Sequence, residues 1–160
     1  MAIIVESLDG KFSGLSFSKK TVIHKEKMNC GISCVIRISE YYNKSSSKEL
    51  CEQINNYRSL ISIKEIVEIL SSLDFDSRLL CIPIYLIGQL NVPGILFWNE
   101  NHFVVIHRIH AGLFYIYDPN IGQVAYSLRE FSGFWVLKNE KSFSKGIFIE
   151  IYEKKIGIDK

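Results

Sequence analysis

The chain has 160 residues, of which 48% are hydrophobic and 22% charged, a balance that suits one packed domain and excludes an extended disordered chain. A domain of this length buries roughly 70% of the surface that its unfolded chain exposes, so its fold requires neither disulfides nor a metal. Nineteen Lys and Arg against 17 Asp and Glu leave a formal charge of +2, which gives no basic surface for a nucleic-acid partner.

From the N-terminus, Ile3, Ile4 and Val5 read as a strand, followed by a turn at Asp9-Gly10 and a second short alternation at Phe12 and Leu15 to Phe17. No apolar run reaches the roughly 18 residues of a membrane span, and MAIIVESLDG lacks the build of a signal peptide, so a soluble cytoplasmic chain is expected. Ile32, Val35, Ile36 and Ile38 fall at helical spacing over Gly31 to Tyr42. Ser46 with Glu49, and Ser62 with Glu65, are capping-box patterns that open two further helices. The first of these carries Leu50, Cys51 and Ile54, and the second carries Ile63, Ile66, Val67, Leu70 and Leu73.

After Asp76 the period changes to that of strands. Arg78 to Ile82, Pro93 to Trp98, His102 to Ile109, Leu113 to Tyr117 and Gln123 to Tyr126 read as strands, with Gly146 to Tyr152 closing the set. Pro83 to Leu90 reads as a short helix or turn, and Ser127 to Phe134 as a short helix. Asp118-Pro119-Asn120-Ile121-Gly122 is a strong turn. Helices first and an antiparallel sheet second predict an α+β fold.

Four cysteines at positions 30, 34, 51 and 81 form no C-x-x-C pair, and without an export signal they are expected as free thiols. Cys30 starts a predicted helix, where unpaired backbone N–H groups and the positive end of the helix dipole favour a thiolate. Gly31 beside it leaves room for a substrate backbone. Cys34, Cys51 and Cys81 read as packing residues. A zinc site from Cys30, Cys34 and histidines lacks the usual C-x-x-C spacing, and no metal or cofactor is expected.

Of the four histidines, His102 begins a strand and Asp118 ends the next, sixteen residues later. A hairpin turning near Ala111-Gly112 brings the two together as a base and its orienting carboxylate. Each residue taken singly has a plainer reading: Cys30 as a small buried apolar group, His102 as a strand-end histidine, Asp118 as an Asx-turn residue before Pro119. His107 has the opposite strand parity to His102 and points to the other face, while His110 sits in the hairpin turn.

Asn29-Cys30-Gly31-Ile32-Ser33-Cys34, the helix ending Tyr41-Tyr42, His102-Phe103-Val104-Val105, Tyr117-Asp118-Pro119-Asn120-Ile121-Gly122 and Glu130-Phe131 stand in the order found in one family. Over about residues 20 to 151 the chain resembles the bacteriocin-processing peptidases that cut leader peptides after a double glycine. That domain usually forms the N-terminal part of peptidase-containing ABC transporters and has a papain-like fold. The resemblance implies Cys30 as nucleophile, His102 as general base, Asp118 as its orienting group, and no cofactor. It divides the chain into an N-terminal extension (1–19), a cysteine peptidase domain (20–151) and a C-terminal tail (152–160).

The implied partners are the leader of a secreted precursor peptide and the membrane and ATPase domains of an ABC transporter, with the domain at the inner face of the cell membrane. His24 stands where the family has a glutamine that donates to the oxyanion, and Asn29 where it has an aspartate. Lys138 to Lys145 reads as an insertion. Some members of that family have lost catalysis and only dock export substrates. A leader-docking domain is therefore the alternative to a peptidase, and acyl transfer by another Cys-His-Asp enzyme is a third reading.

Overall fold

The computed structural model describes residues 3–6, 29–44, 61–138 and 144–155. His24, Cys51, the Ser46–Glu49 capping pattern, the Asp9-Gly10 turn and residues 139–143 of the expected insertion lie outside the described residues. The elements in chain order are β1 (Ile3–Glu6), α1 (Cys30–Tyr41), α2 (Ile63–Ser72), β2 (Phe75–Pro83), a 3-10 helix (Ile84–Gln89), β3 (Gly94–Trp98), β4 (His102–His110), β5 (Leu113–Asp118), β6 (Gly122–Ser127), α3 (Leu128–Trp135) and β7 (Lys145–Glu153).

Among the described residues seven strands form one antiparallel sheet in the order β1-β2-β7-β3-β4-β5-β6. α1 and α2 cover one face, where Ile32, Val35 and Ile38 meet Ile66 and Leu70 over Phe103, Val105 and Ile149. The 3-10 helix and α3 cover the other, where Phe131 and Trp135 pack on Leu96, Val104, Ile116 and Phe148. A strand covered on both faces has no polar side to show, which is why Phe103-Val104-Val105-Ile106 is apolar without a break and fully buried. The result is the expected α+β arrangement of helices ahead of an antiparallel sheet.

Helix starts follow the sequence signals. Ser62 accepts from Glu65 N and Glu65 reaches back to Ser62 N at 2.6 Å, a complete capping box. Ser127 and Glu130 form a second one at α3, in addition to the capping patterns expected from the sequence. β2 begins at Phe75 instead of Arg78. Asp74, at φ 58°, ends the α2 turn, and Phe75, Ser77 and Leu79 then point inward between Asp76 and Arg78. Buried Ser77 hid that alternation from a hydrophobicity pattern.

Two glycines mark points where elements touch. A Cβ on Gly146 would fall inside the indole of Trp135, which is 1% exposed and has nowhere to move. Gly133, on the outer side of α3, has nothing within 4 Å of such an atom. Gly146→Ala is therefore expected to destabilise by about 1–3 kcal/mol through overpacking. Gly133→Ala is expected to stabilise by about 0.5–1 kcal/mol through helix propensity. Urea unfolding of the two variants separates these effects, and equal midpoints would contradict the packing described.

Candidate active site

Cys30 is the first residue of α1, and Asn29 caps that helix by accepting from Gly31 N at 3.0 Å. The cap is neutral, so the sulfur sits at the positive end of the helix with no carboxylate on the adjoining residue. Gly31 is buried against α2, where a Cβ would meet Ile61 Cγ1 at 2.7 Å and Ile66 Cδ1 at 3.1 Å. The glycine thus serves helix–helix packing, correcting the expectation that it clears space for a substrate backbone. Cys34, one turn on, is fully buried as expected, and Cys81 is half-buried on β2.

His102 opens β4 directly after a tight turn. Asn99 and Glu100 take φ 53° and 60°, and Trp98 and His102 pair across the hairpin. Asn99 N donates to Phe134 O at 2.7 Å and Glu100 Oε1 accepts from Lys138 N at 2.9 Å, tying the turn to the end of α3. His102 Nε2 meets Asp118 Oδ1 at 2.8 Å, with the two side chains 15% and 10% exposed. The same Asp118 oxygen accepts from Asn120 N at 2.8 Å, so the Asx turn and the imidazole share one carboxylate.

A bulge makes that pairing possible. Arg108 pairs with Tyr115, but Ile106 pairs with Ile116 and Val105 with Tyr117, leaving His107 as an extra residue. Ile109 and Ile106, of opposite parity, consequently lie in the same hydrophobic cluster. Continuing the register sets Asp118 opposite Val104, on the face that His102 shares. Without the extra residue Asp118 would stand opposite Val105 and face the other side. His107 itself turns toward Gln123, 2.7 Å away, and does not join the site; its pKa is lowered by burial and by the charges of Arg37 and Arg108.

Asp118 occupies Nε2 of His102, and the ring also bonds to the Cys30 thiol, for which Nδ1 is the remaining nitrogen. Burial pushes the thiol pKa up. The His102 hydrogen bond, the Phe103 N–H, the His102 charge and the Gly31 N–H outweigh it and bring the thiol below its ordinary 9.0. Burial pulls the imidazole down, but its bonds to Asp118 and Cys30 raise it to about 9. Burial likewise raises Asp118, and the His102 and Asn120 bonds bring it below the usual carboxylate value. Both shifts favour the charged forms, a thiolate beside an imidazolium. The Phe103 amide escaped sequence reading because a backbone donor leaves no mark on residue identity. His24 lies outside the described residues and His110 lies exposed at the β4–β5 turn.

Residues 18–141 match the Peptidase C39 family. The chain belongs to that family. It is 39% identical over 59 residues to the lacticin-481/lactococcin-DR transport/processing ATP-binding protein of Lactococcus lactis subsp. lactis, covering 34% of this chain and 8% of that one. It is 28% identical over 104 residues to the probable microcin-H47 secretion/processing ATP-binding protein of Escherichia coli, covering 64% of this chain and 15% of the relative. The chain therefore spans only a small part of these relatives.

Among solved structures it resembles a double glycine motif protease from an AMS/PCAT transporter in complex with its leader peptide. The TM-score is 0.68 at 18% identity, over 96% of this chain and 99% of the other. The peptidase C39-like domain of a Vibrio parahaemolyticus toxin secretion ATP-binding protein superimposes with TM-score 0.63 at 12% identity, over 81% and 100% of the two chains. The peptidase domain of Streptococcus ComA superimposes with TM-score 0.59 at 18% identity, over 82% and 96%. The fold of this C39 chain is thus the papain-like one. Among its described residues no helix is long and apolar enough to cross a membrane.

The electrostatics predict how the thiol reacts. Alkylation of Cys30 by iodoacetamide should rise with pH through a midpoint below 9.0. His102→Gln removes the two favourable contributions of the ring and should return the midpoint toward the ordinary thiol value. An unchanged midpoint, followed by mass spectrometry of the Cys30 peptide, would show that the thiol and the imidazole do not interact.

Proposed function

We propose that the chain is a cysteine endopeptidase that removes the leader from a ribosomally made, bacteriocin-like peptide after a double-glycine-type site, in step with export. The observation that carries this reading is the continuous relay from the Cys30 sulfur through the His102 ring to the Asp118 carboxylate. Membership of the C39 family and the likeness to a double glycine motif protease bound to its leader support the choice of substrate.

In this reading the Cys30 thiolate attacks the carbonyl carbon of the second small residue. Negative charge develops on the carbonyl oxygen. The N–H of Cys30, one of the four amides that a helix start leaves without an intrahelical acceptor, can receive it, joined by His24 at the position of the family's glutamine. His102 gives the Nδ1 proton to the leaving amine as the C–N bond breaks, leaving a thioester. The neutral ring then takes a proton from water, whose oxygen attacks the thioester and releases the leader as a carboxylate. Asp118 keeps the ring in place and stabilises its charged form throughout. The chemistry uses no cofactor.

The peptidase unit is taken as residues 20–151, with 1–19 and 152–160 as flanking segments. Its partners are the leader and, because the matched relatives are transport and processing ATP-binding proteins, the membrane and ATPase domains of an ABC transporter. That association sets the domain at the inner face of the membrane.

Cys30→Ala should cut cleavage of a double-glycine leader peptide by roughly 10⁴-fold or more, read by mass spectrometry of the products. Undiminished cleavage would end the proposal, and leader binding without cleavage by the unaltered chain would favour a docking domain. His24→Ala should lower kcat by about 10²–10³ while His24→Gln retains it. The pH profile of kcat/KM should fall above about 9 as His102 loses the proton it must donate, whereas alkylation of Cys30 continues.

A further inference from the structure

Arg37 is a charged side chain buried where an apolar one would be expected. It lies on α1, two turns beyond Cys30 and on the same stripe as Cys30 and Cys34, and the residue is 7% exposed. Its partner Glu40, one turn along the same helix, is 3.4 Å away and a third exposed, a long and partly solvated ion pair. The closer fit is across the helix–sheet boundary. The Arg37 guanidinium carbon stands 4.2 Å from the centre of the Tyr117 ring. Tyr117 immediately precedes Asp118 at the end of β5, whereas the rest of α1 packs chiefly on β4.

A buried guanidinium costs more in desolvation than a hydrophobe of similar volume, so stability alone does not call for one here. What a planar cation over a ring does supply is a fixed distance and orientation between two elements. Cys30 comes from α1 and Asp118 from β5, and both must reach the same imidazole from opposite sides. Cys34 lies between Cys30 and Arg37 on that stripe, and the Cys30 and Asp118 charges both act on it.

We propose that Arg37 is a positioning residue, which by laying its guanidinium on Tyr117 clamps α1 to the end of β5 and holds Cys30 and Asp118 together on His102. The inference rests on the peptidase reading only for its meaning in catalysis, since the juxtaposition of His102 and Asp118 can be read by itself.

The test uses the full chain with Arg37→Met, Tyr117→Leu, the double variant, and Tyr117→Phe, which keeps the ring. The His102 titration is followed by ring-proton NMR and assigned with His102→Gln. Arg37→Met and Tyr117→Leu should each lower the His102 midpoint by about one pH unit or more as the Asp118 bond loosens. Removing a cation acting only through its field would raise that midpoint, so the direction itself discriminates. Tyr117→Phe should match the unaltered chain, and the double variant should be no worse than the poorer single one, as for two halves of one contact.

An unchanged or raised midpoint in Arg37→Met and Tyr117→Leu, with only the melting temperature lowered, would reduce the contact to packing and overturn the proposal. Additive shifts in the double variant would do the same. If Arg37→Met does not fold, the contrast between Tyr117→Leu and Tyr117→Phe decides alone. On a double-glycine peptide the loss should appear in kcat and leave KM within about twofold. Should the unaltered chain show no cleavage and no thiol reactivity, the peptidase reading fails, while the His102 midpoints still decide the clamp.

Discussion

The contact between the sulfur of Cys30 and the ring of His102 is the constraint on which the rest of the molecule depends, because it joins a helix start to a strand start across the main interface of the fold. Neither residue stands on a long loop. The helix is located by its packing on α2, where Gly31 lets Ile61 and Ile66 come within reach of its backbone. The strand is located by the turn at Asn99 and Glu100, held in turn by Phe134 and Lys138. The placement of the site is therefore a consequence of core packing, and a shift of either layer would separate the two groups.

The electrostatic balance is narrow. Burial opposes charge on all three side chains, raising Cys30 and Asp118 and lowering His102; on Cys34 burial and the Cys30 and Asp118 charges all push the same way, and its thiol is driven well up. Cys30 and Cys34 share a helix and a chemistry but not their neighbours. Only Cys30 has the imidazole and the Phe103 amide beside it. The same low-polarity surroundings that would silence a lone thiol make each of its hydrogen bonds count for more. In the proposed reaction these bonds favour a thiolate on Cys30 and a protonated ring on His102.

Much of the fold was legible from local chemistry. The Ser62–Glu65 box, the apolar spacing of α1 and the uninterrupted run after His102 each depend on near neighbours in the chain, and each led to the observed element. The start of β2 was not legible, because buried Ser77 breaks the apolar count while keeping the strand's inward side. The purpose of Gly31 was misread for a different reason. A missing Cβ says that something comes close, and only the position of α2 says that the neighbour is Ile61.

The pairing of His102 with Asp118 was anticipated from strand lengths and a two-residue turn, yet those alone give the wrong parity. Counting back from His110↔Leu113 without interruption sets Asp118 on the face away from His102. The extra residue at His107 reverses the alternation, and the side chains beyond it, Ile106, Val104 and His102, change faces together. A bulge has no dependable signature in a sequence of alternating β-branched residues, since either register buries an apolar side chain on a sheet covered on both sides. The partners of Asp118 are one place where the two registers differ. On one, Asp118 receives the imidazole and the Asn120 amide; on the other, it would lie among Phe103 and Val105 with no ring to meet it. The carboxylate proposed to orient the base thus reaches it only through a bulge five residues further along the strand that carries the ring.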